Sequence, residues 1–431
     1  MRRTIIAILL VSAGALIAKG ADRYVSLKGT NNFANQFTDW AGAATQIQWA
    51  VNFAQAGETV WVSNGTYYLT NQITITNGIN LKSFSGNRAD TIINGNHPGV
   101  TNRCMTMNHA TLVVEGFTIT NGYAPTNNQS GGGVHISAGT LRDCLVTGNH
   151  VTNTGVGGGI YAIGINSMIT NCDIIGNVMF RGGAAGAYLY THAQLGNCRI
   201  MYNWTSNTNL SGGAGYGGGL SVYYSTNTVI CNSLIISNRL GGRNNPEYGG
   251  GVYLYQGGTL RNCLVMGNFS WLGGGVCAHS GSPAIYNNIE NCTIVSNYAT
   301  SSCGGIGSPY AGGNTNRAVQ VNNTICYSNR NGEVGWAYLG NAVFSNSLVP
   351  YTGTLPGGNN FTNKNPLFVN FTGGDYHLTT ESPCINAGFA QPWMSSGSVD
   401  LDGFSRIDRF FNQIDLGCYE YHPNGLMFKM R

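Results

Sequence analysis

Carboxylates are scarce in the middle of this chain, so each one there draws notice. Residues 101–330 hold five: Glu115, Asp143, Asp173, Glu247 and Glu290. Glu115 lies six residues before Asn121 and Asp143 six before Asn149, so both hold the same place relative to a recurring asparagine. Parallel strands stack about 4.8 Å apart, which would bring the two carboxylates to roughly 5 Å of each other. Such a pair can share a proton, bind a cation, or act as acid and nucleophile on a glycosidic bond. Arg142 and His135 would be its neighbours. The same two acids also fit a solvated turn neutralised by Arg142, with no chemistry.

A second set is aromatic. If Val134, Ile160, Leu220 and Val252 point inward, strand alternation sends the residues beside them outward. The outward set is His135, Tyr161, Tyr188, Tyr190, Tyr223, Tyr253, Tyr255 and His279. Rings flanked by His and Asn suit flat sugar faces and the hydroxyls around them. A tyrosine stack that merely supports strand pairing is the competing reading. In the tail, Asp400, Asp402 and Asp415 could ligate calcium, or form turns and pair with Arg406. No other cofactor is called for. Histidines never fall at metal-pair spacing, and the glycine runs precede strands rather than helix starts, so they cradle no phosphate.

The elements that position these residues repeat. Residues 141–149 (LRDCLVTGN), 169–177 (ITNCDIIGN), 195–203 (LGNCRIMYN), 260–268 (LRNCLVMGN) and 289–297 (IENCTIVSN) share one frame. Weaker copies end at Asn121, Asn238 and Asn329, and the terminal asparagines are 26 to 35 residues apart. Between copies come glycine runs followed by alternating residues, as in 131–136 (GGGVHI), 217–222 (GGGLSV) and 249–254 (GGGVYL). That period, with short β-type runs, predicts an all-β stacked solenoid whose coils each carry two or three strands. One coil cannot bury its own apolar face, so stacking must supply the core. Cys144, Cys172, Cys198, Cys263 and Cys292 then form one interior column of buried thiols. The asparagines before them (Asn171, Asn197, Asn262, Asn291) would form a hydrogen-bonded ladder. Residues 45–55 (TQIQWAVNFAQ) put Ile47, Ala50, Val51 and Ala54 on one helical face, a plug for the open first coil.

Composition narrows the class. Charged residues make up 9% of the 431, glycines number 63, and aromatic content is 11%. Residues 1–20 have a basic start, an apolar stretch and a small-residue end, the layout of a secretory leader. Its removal leaves 18 basic against 17 acidic residues, which gives no electrostatic reason to expect nucleic acid or an anionic membrane as partner. No later segment is apolar enough to span a membrane as a helix. The expected organisation is a leader (1–20), an N-terminal cap and first coil (21–100), solenoid repeats (101–350) and a C-terminal closing segment (351–431).

The opening segment Ile47-Gln48, Ala50-Val51, residues 56–60 (AGETV) and residues 64–67 (NGTY) is similar to the first coil of the pectin-lyase-like superfamily. The glycine-run and Cys-x-Ile copies resemble repeats of polymorphic outer membrane proteins. The tail, with residues 365–369 (NPLFV), 374–378 (GDYHL), 382–388 (SPCINAG), 400–403 (DLDG) and 415–421 (DLGCYEY), resembles the choice-of-anchor Q type C-terminal region. These resemblances imply a right-handed parallel β-helix with an N-terminal capping helix, secreted or held at a bacterial cell surface. The polygalacturonase and pectate-lyase active-site signatures are absent. Where the tail motifs usually carry alanine, this chain has Cys384 and Cys418, which suggests a bridge between them. The leading functional expectation is a protein that binds polysaccharide or cell-envelope glycan without catalysis. A lyase or hydrolase using Glu115 and Asp143, or a purely structural, adhesin-like rod, are the alternatives.

Overall fold

A computed structural model describes residues 20–124, 129–152, 155–180, 182–205, 215–241, 247–280, 285–309, 319–336, 342–407 and 413–422. The leader expected at residues 1–20 thus lies almost wholly outside the described residues.

The chain winds into an all-β parallel solenoid. One coil runs through four short strands, Ile160–Ile163, Ser167–Thr170, Asp173–Ile175 and Val178–Met179. Each pairs in parallel with its counterpart one coil on, as in Ile160↔Ala187, Ile169↔Leu195, Ile174↔Ile200 and Val178↔Trp204. The third strands stack into a ten-stranded sheet and the fourth into shorter ones. The first and second strands merge into one sheet because Met105–Glu115 and Val134–Arg142 run through both positions.

Alternation along each strand fills the interior. Val134, Ile160, Ala187, Leu220, Val252, Val276 and Ile306 form one column with no exposure, in register from coil to coil. The cysteine column is real: Cys144, Cys172, Cys198, Cys263 and Cys292 are free thiols, at most 1% exposed. Ser233 and Thr324 take the same place in coils that lack the cysteine, their hydroxyls receiving the Cys198 and Cys292 amides.

The asparagine ladder lies in a different column from the one expected. Asn171, Asn197, Asn262 and Asn291 sit at left-handed corners (φ 49 to 56°) and are joined only piecemeal, as in Asn262 to Asn232 at 2.7 Å. The unbroken ladder is made by the terminal asparagines 149, 177, 203, 238, 268, 297 and 329, buried at 0 to 7% exposure. In each step the amide nitrogens of one asparagine donate to the Oδ1 of the next; Asn238 N and Nδ2 reach Asn268 Oδ1 at 2.9 and 3.0 Å.

The glycine runs are specified by this ladder. In 249–251, Gly249 has φ +75°, open to few side chains. A Cβ on Gly250 would lie 2.5 Å from the Gly274 carbonyl oxygen, and one on Gly251 would lie 2.9 Å from Asn268 Nδ2. The third glycine therefore leaves the space that the asparagine fills.

At the N-terminal end the helix Ile47–Phe53 buries Ile47, Ala50 and Val51 against the first coil, as its periodicity predicts. The C-terminal segment runs back along the outside of the solenoid. Tyr376 and Cys418 cover Leu264 and Val295 of the ten-stranded sheet, and the Asn262 side chain donates to the Val399 carbonyl at 3.2 Å. The expected Cys384–Cys418 bridge is not formed. Both thiols are free and buried, Cys384 against Leu348 and Leu416, Cys418 in a separate apolar cluster. Leu416 is the residue beside Cys384; Gly417, at φ +91°, then carries Cys418 away to Thr293.

Candidate functional site

The tyrosines occupy two columns two residues apart on the strands that follow the glycine runs. One column runs His135, Tyr161, Tyr188, Ser221, Tyr253. The other runs Tyr190, Tyr223, Tyr255, His279. Where Ser221 interrupts the first column, the ring row crosses to the second. Centroids are 5.9 Å apart for Tyr161–Tyr188, 5.8 Å for Tyr188–Tyr223 and 4.3 Å for Tyr223–Tyr255, with planes within 28° of parallel. His279 closes the row edge-on at 5.1 Å.

This geometry changes the expected mode of contact. Stacked rings cover one another's faces, so the half-buried Tyr188 and Tyr223 offer ring edges rather than flat platforms. Burial and the neighbouring phenols raise the Tyr223 pKa to about 12, keeping it a neutral donor. Tyr253 departs further from expectation: it is 2% exposed, because Tyr216 and Tyr248 close over it from the strands before the glycine runs. Tyr216, Tyr248, Trp271 and Tyr224 extend the aromatic surface and were not singled out from the sequence. Tyr216 and Tyr248 each directly precede a glycine run, and that position was the available signal. Tyr224 stands perpendicular to Tyr223 and Tyr255 and is 48% exposed, so it does present a ring face.

The carboxylate pair is corrected. Glu115 aligns with Arg142, not with Asp143. Asn121 is the cause: it occupies the left-handed corner (φ 54°) that Gly148 fills one coil later (φ 63°), so Gly122, not Asn121, matches Asn149. Counting back from Asn121 therefore misplaces Glu115 by one residue. Burial raises the Glu115 carboxyl, but Arg142 at 2.6 Å and Lys82 at 3.1 Å outweigh it and hold the pKa below the usual value. An acid so clamped stays ionised and is no proton donor near neutral pH. His135 is apart from this group, in the tyrosine column, 3.3 Å from Arg103. Burial and that guanidinium push its pKa down to about 4, so it is neutral.

Asp143 instead lines a polar cleft of about 480 Å³ with Arg88, Asn171, Asp173, Asn197 and Arg199. Arg88 and Arg199 both pair with Asp173, Arg199 Nε reaching its Oδ1 at 2.7 Å. A second cleft shares Asn197 and Arg199 and is walled by residues 399–403 and Tyr419 of the tail.

The calcium reading is also corrected. Asp400 accepts backbone amides of Asp402 (3.0 Å), Phe404 (2.8 Å) and Glu420 (2.9 Å). Asp415 accepts those of Asn386 (2.7 Å) and Tyr421 (2.5 Å). Asp402 faces His377 at 2.6 Å. These acids build turns, and among the described residues no three His, Cys, Asp or Glu side chains are grouped to hold a metal ion. Arg406, wholly buried, pairs with Glu420 at 2.6 Å instead. Among the described residues no helix is long and apolar enough to cross a membrane.

No protein-family model and no curated protein matches the sequence. Solved structures do match. A pectate lyase, Pel9A, superposes with a TM-score of 0.55 at 13% identity, over 93% of this chain and 97% of that one. This chain has a pectate-lyase-like parallel β-helix fold. A complex of XylC with xylose (TM-score 0.42, 9% identity, 80% of this chain, 87% of that one) is more distant. So is a pectin methylesterase from Aspergillus niger (0.33, 13%, 69% and 88%). At these identities the likeness extends to the fold, and site residues are argued from this chain alone.

Proposed function

We propose that this protein is an exported, non-catalytic polysaccharide-binding β-helix whose ligand lies along the tyrosine row. The observation that carries the reading is the continuous stack of Tyr161, Tyr188, Tyr223 and Tyr255, one ring per coil on four consecutive coils. One phenol per coil, at a coil repeat of about 4.8 Å, is a surface that a linear polymer meets with one contact per step, displaced sideways by two residues between Tyr188 and Tyr223. The phenols serve as hydrogen-bond partners for sugar hydroxyls, and the open face of Tyr224 takes a pyranose ring. Export to the cell envelope rests on the leader-like residues 1–20 and on the resemblance of the tail to surface-anchored β-helix proteins.

A second reading, glycan cleavage, is favoured by one feature: the cleft that holds Asp143 and Asp173 beside Arg88 and Arg199. One experiment separates the two. The purified protein is incubated with a panel of polysaccharides, and both retention and newly formed reducing or unsaturated ends are recorded. Retention without release, lost in a Tyr223→Ala/Tyr224→Ala variant, is the expected result. Release that disappears in Asp143→Asn/Asp173→Asn would replace binding by catalysis, and the absence of both with every glycan would reject each reading.

A further inference from the structure

The residue directly after each ladder asparagine forms another column, on the opposite side of the glycine corner from the tyrosines. His150, Val178, Trp204, Arg239, Phe269, Tyr298 and Arg330 pair in register through consecutive coils. The ladder asparagine before each and the next residue (Val151, Met179, Thr205, Leu240, Ser270, Ala299) are buried, so alternation directs this column outward. Its side chains are half-buried or exposed, Trp204 at 44%.

Over the last four members the column is a sandwich of cations and rings. The Arg239 guanidinium lies 4.9 Å from the Phe269 ring centre, Phe269 and Tyr298 are 5.3 Å apart, and the Arg330 guanidinium lies 4.8 Å from Tyr298. Among the described residues these two arginines have no carboxylate partner within ion-pair distance, whereas Arg23, Arg88, Arg142, Arg199, Arg261 and Arg406 each have one. The nearest acid in sequence, Glu333, is turned inward and accepts from the ladder end, Asn329 Nδ2, at 2.7 Å. Glu247, on the same set of strands, is 5% exposed. The surface therefore carries positive charge and aromatic rings with no exposed carboxylate among its described strands.

We propose that this column is a second glycan site, selective for a carboxylated polysaccharide whose acid groups pair with Arg239 and Arg330 while the exposed Trp204 carries a sugar ring. The inference rests on the polysaccharide-binding reading and adds a charge requirement to it. A guanidinium held over a ring keeps its outer edge free for bidentate pairing with a carboxylate. Two cations three coil steps apart are too few for nucleic acid, which presents a phosphate at every nucleotide.

The test uses the full chain with two probes, sodium alginate and alginate whose carboxylates are esterified, by titration calorimetry at low and high salt. The acid form should bind about tenfold more tightly at low salt, as charge-assisted hydrogen bonds imply, and salt should erase the difference. Arg239→Gln/Arg330→Gln should remove that tenfold difference between the two probes. Tyr223→Ala/Tyr224→Ala should weaken both probes alike. Equal affinity for both probes, or full acid preference in the arginine variant, would overturn this site yet leave polysaccharide binding standing. Failure to bind either probe would overturn this site, and only failure across the whole polysaccharide panel would sink the binding reading with it. A single-stranded oligonucleotide that displaces alginate and binds more tightly would reassign the column to nucleic acid.

Discussion

Removing one rung of the asparagine ladder should cost far more than the loss of a single polar side chain usually does. Asn238 is wholly buried. Its Oδ1 receives the Asn203 backbone amide at 3.1 Å and Asn203 Nδ2 at 2.9 Å, and its Nδ2 donates to the Ile200 carbonyl at 2.9 Å. Asn238→Ala takes a partner from each of those three groups in a dry interior, at about 1–3 kcal/mol each, although Asn203 Nδ2 keeps its bond to the Ile174 carbonyl at 2.8 Å. Some will be rescued by relaxation or water, so the expected loss is about 3–6 kcal/mol. Asn238→Asp keeps the acceptor but turns a carboxylate oxygen toward the Ile200 carbonyl and Asn268 Oδ1. It should be at least as harmful at neutral pH and should recover partly at pH 4, where a protonated acid donates again. Asn166→Ala, exposed at a turn, is the control and should change stability by less than about 0.5 kcal/mol. Urea unfolding followed by far-ultraviolet circular dichroism measures all three. A loss below about 1 kcal/mol for Asn238→Ala would refute the claim that the ladder is an energetic spine.

Gly251→Ala should destabilise by about 1–3 kcal/mol through overpacking, since its Cβ would lie 2.6 Å from the Gly275 carbonyl oxygen and 2.9 Å from Asn268 Nδ2; the same unfolding curves report it. Burial lowers the His377 pKa, but Asp402 at 2.6 Å and Asp375 at 2.5 Å outweigh it and leave it raised. The stability this histidine lends the tail is present below the ordinary histidine pKa near 6.5 and is lost as pH rises through the higher folded value. An NMR titration should find that elevation and see it shrink in Asp402→Asn. All twelve cysteines are free, so alkylation of unfolded, unreduced protein should label every one, while the native solenoid protects the buried column.

Much of the fold was legible because the repeat is a one-dimensional code. Cys144, Cys172 and Cys198 share a frame in the text and share a column in space, since each coil cannot bury its face without its neighbours. Register within a coil was harder to read. Asn121 looks like the other terminal asparagines yet holds the corner before them, and that single left-handed residue moved Glu115 from a carboxylate pair to a salt bridge. The ladder is likewise hard to place, because sequence shows that the asparagines before the cysteines and the terminal asparagines both form polar columns, but not which of the two is buried. Ring orientation was equally hidden: alternation places Tyr188 and Tyr223 outward, but only packing decides that they stack on each other. The Arg239–Arg330 column went unseen because its members differ chemically, so no repeated letter marks it.

The most direct test of the central claim, that side chains repeated from coil to coil form a linear glycan-binding face, is the dependence of affinity on ligand length. Tyr161 to Tyr255 spans three coil steps, about 14 Å at ~4.8 Å each. Calorimetry with a graded series of oligosaccharides cut from the retained polymer should show affinity rising with each added sugar until the row is spanned, then levelling off. In Tyr223→Ala/Tyr224→Ala the rise should be interrupted. Affinity independent of length, with a monosaccharide binding as well as the longest oligomer, would contradict the account.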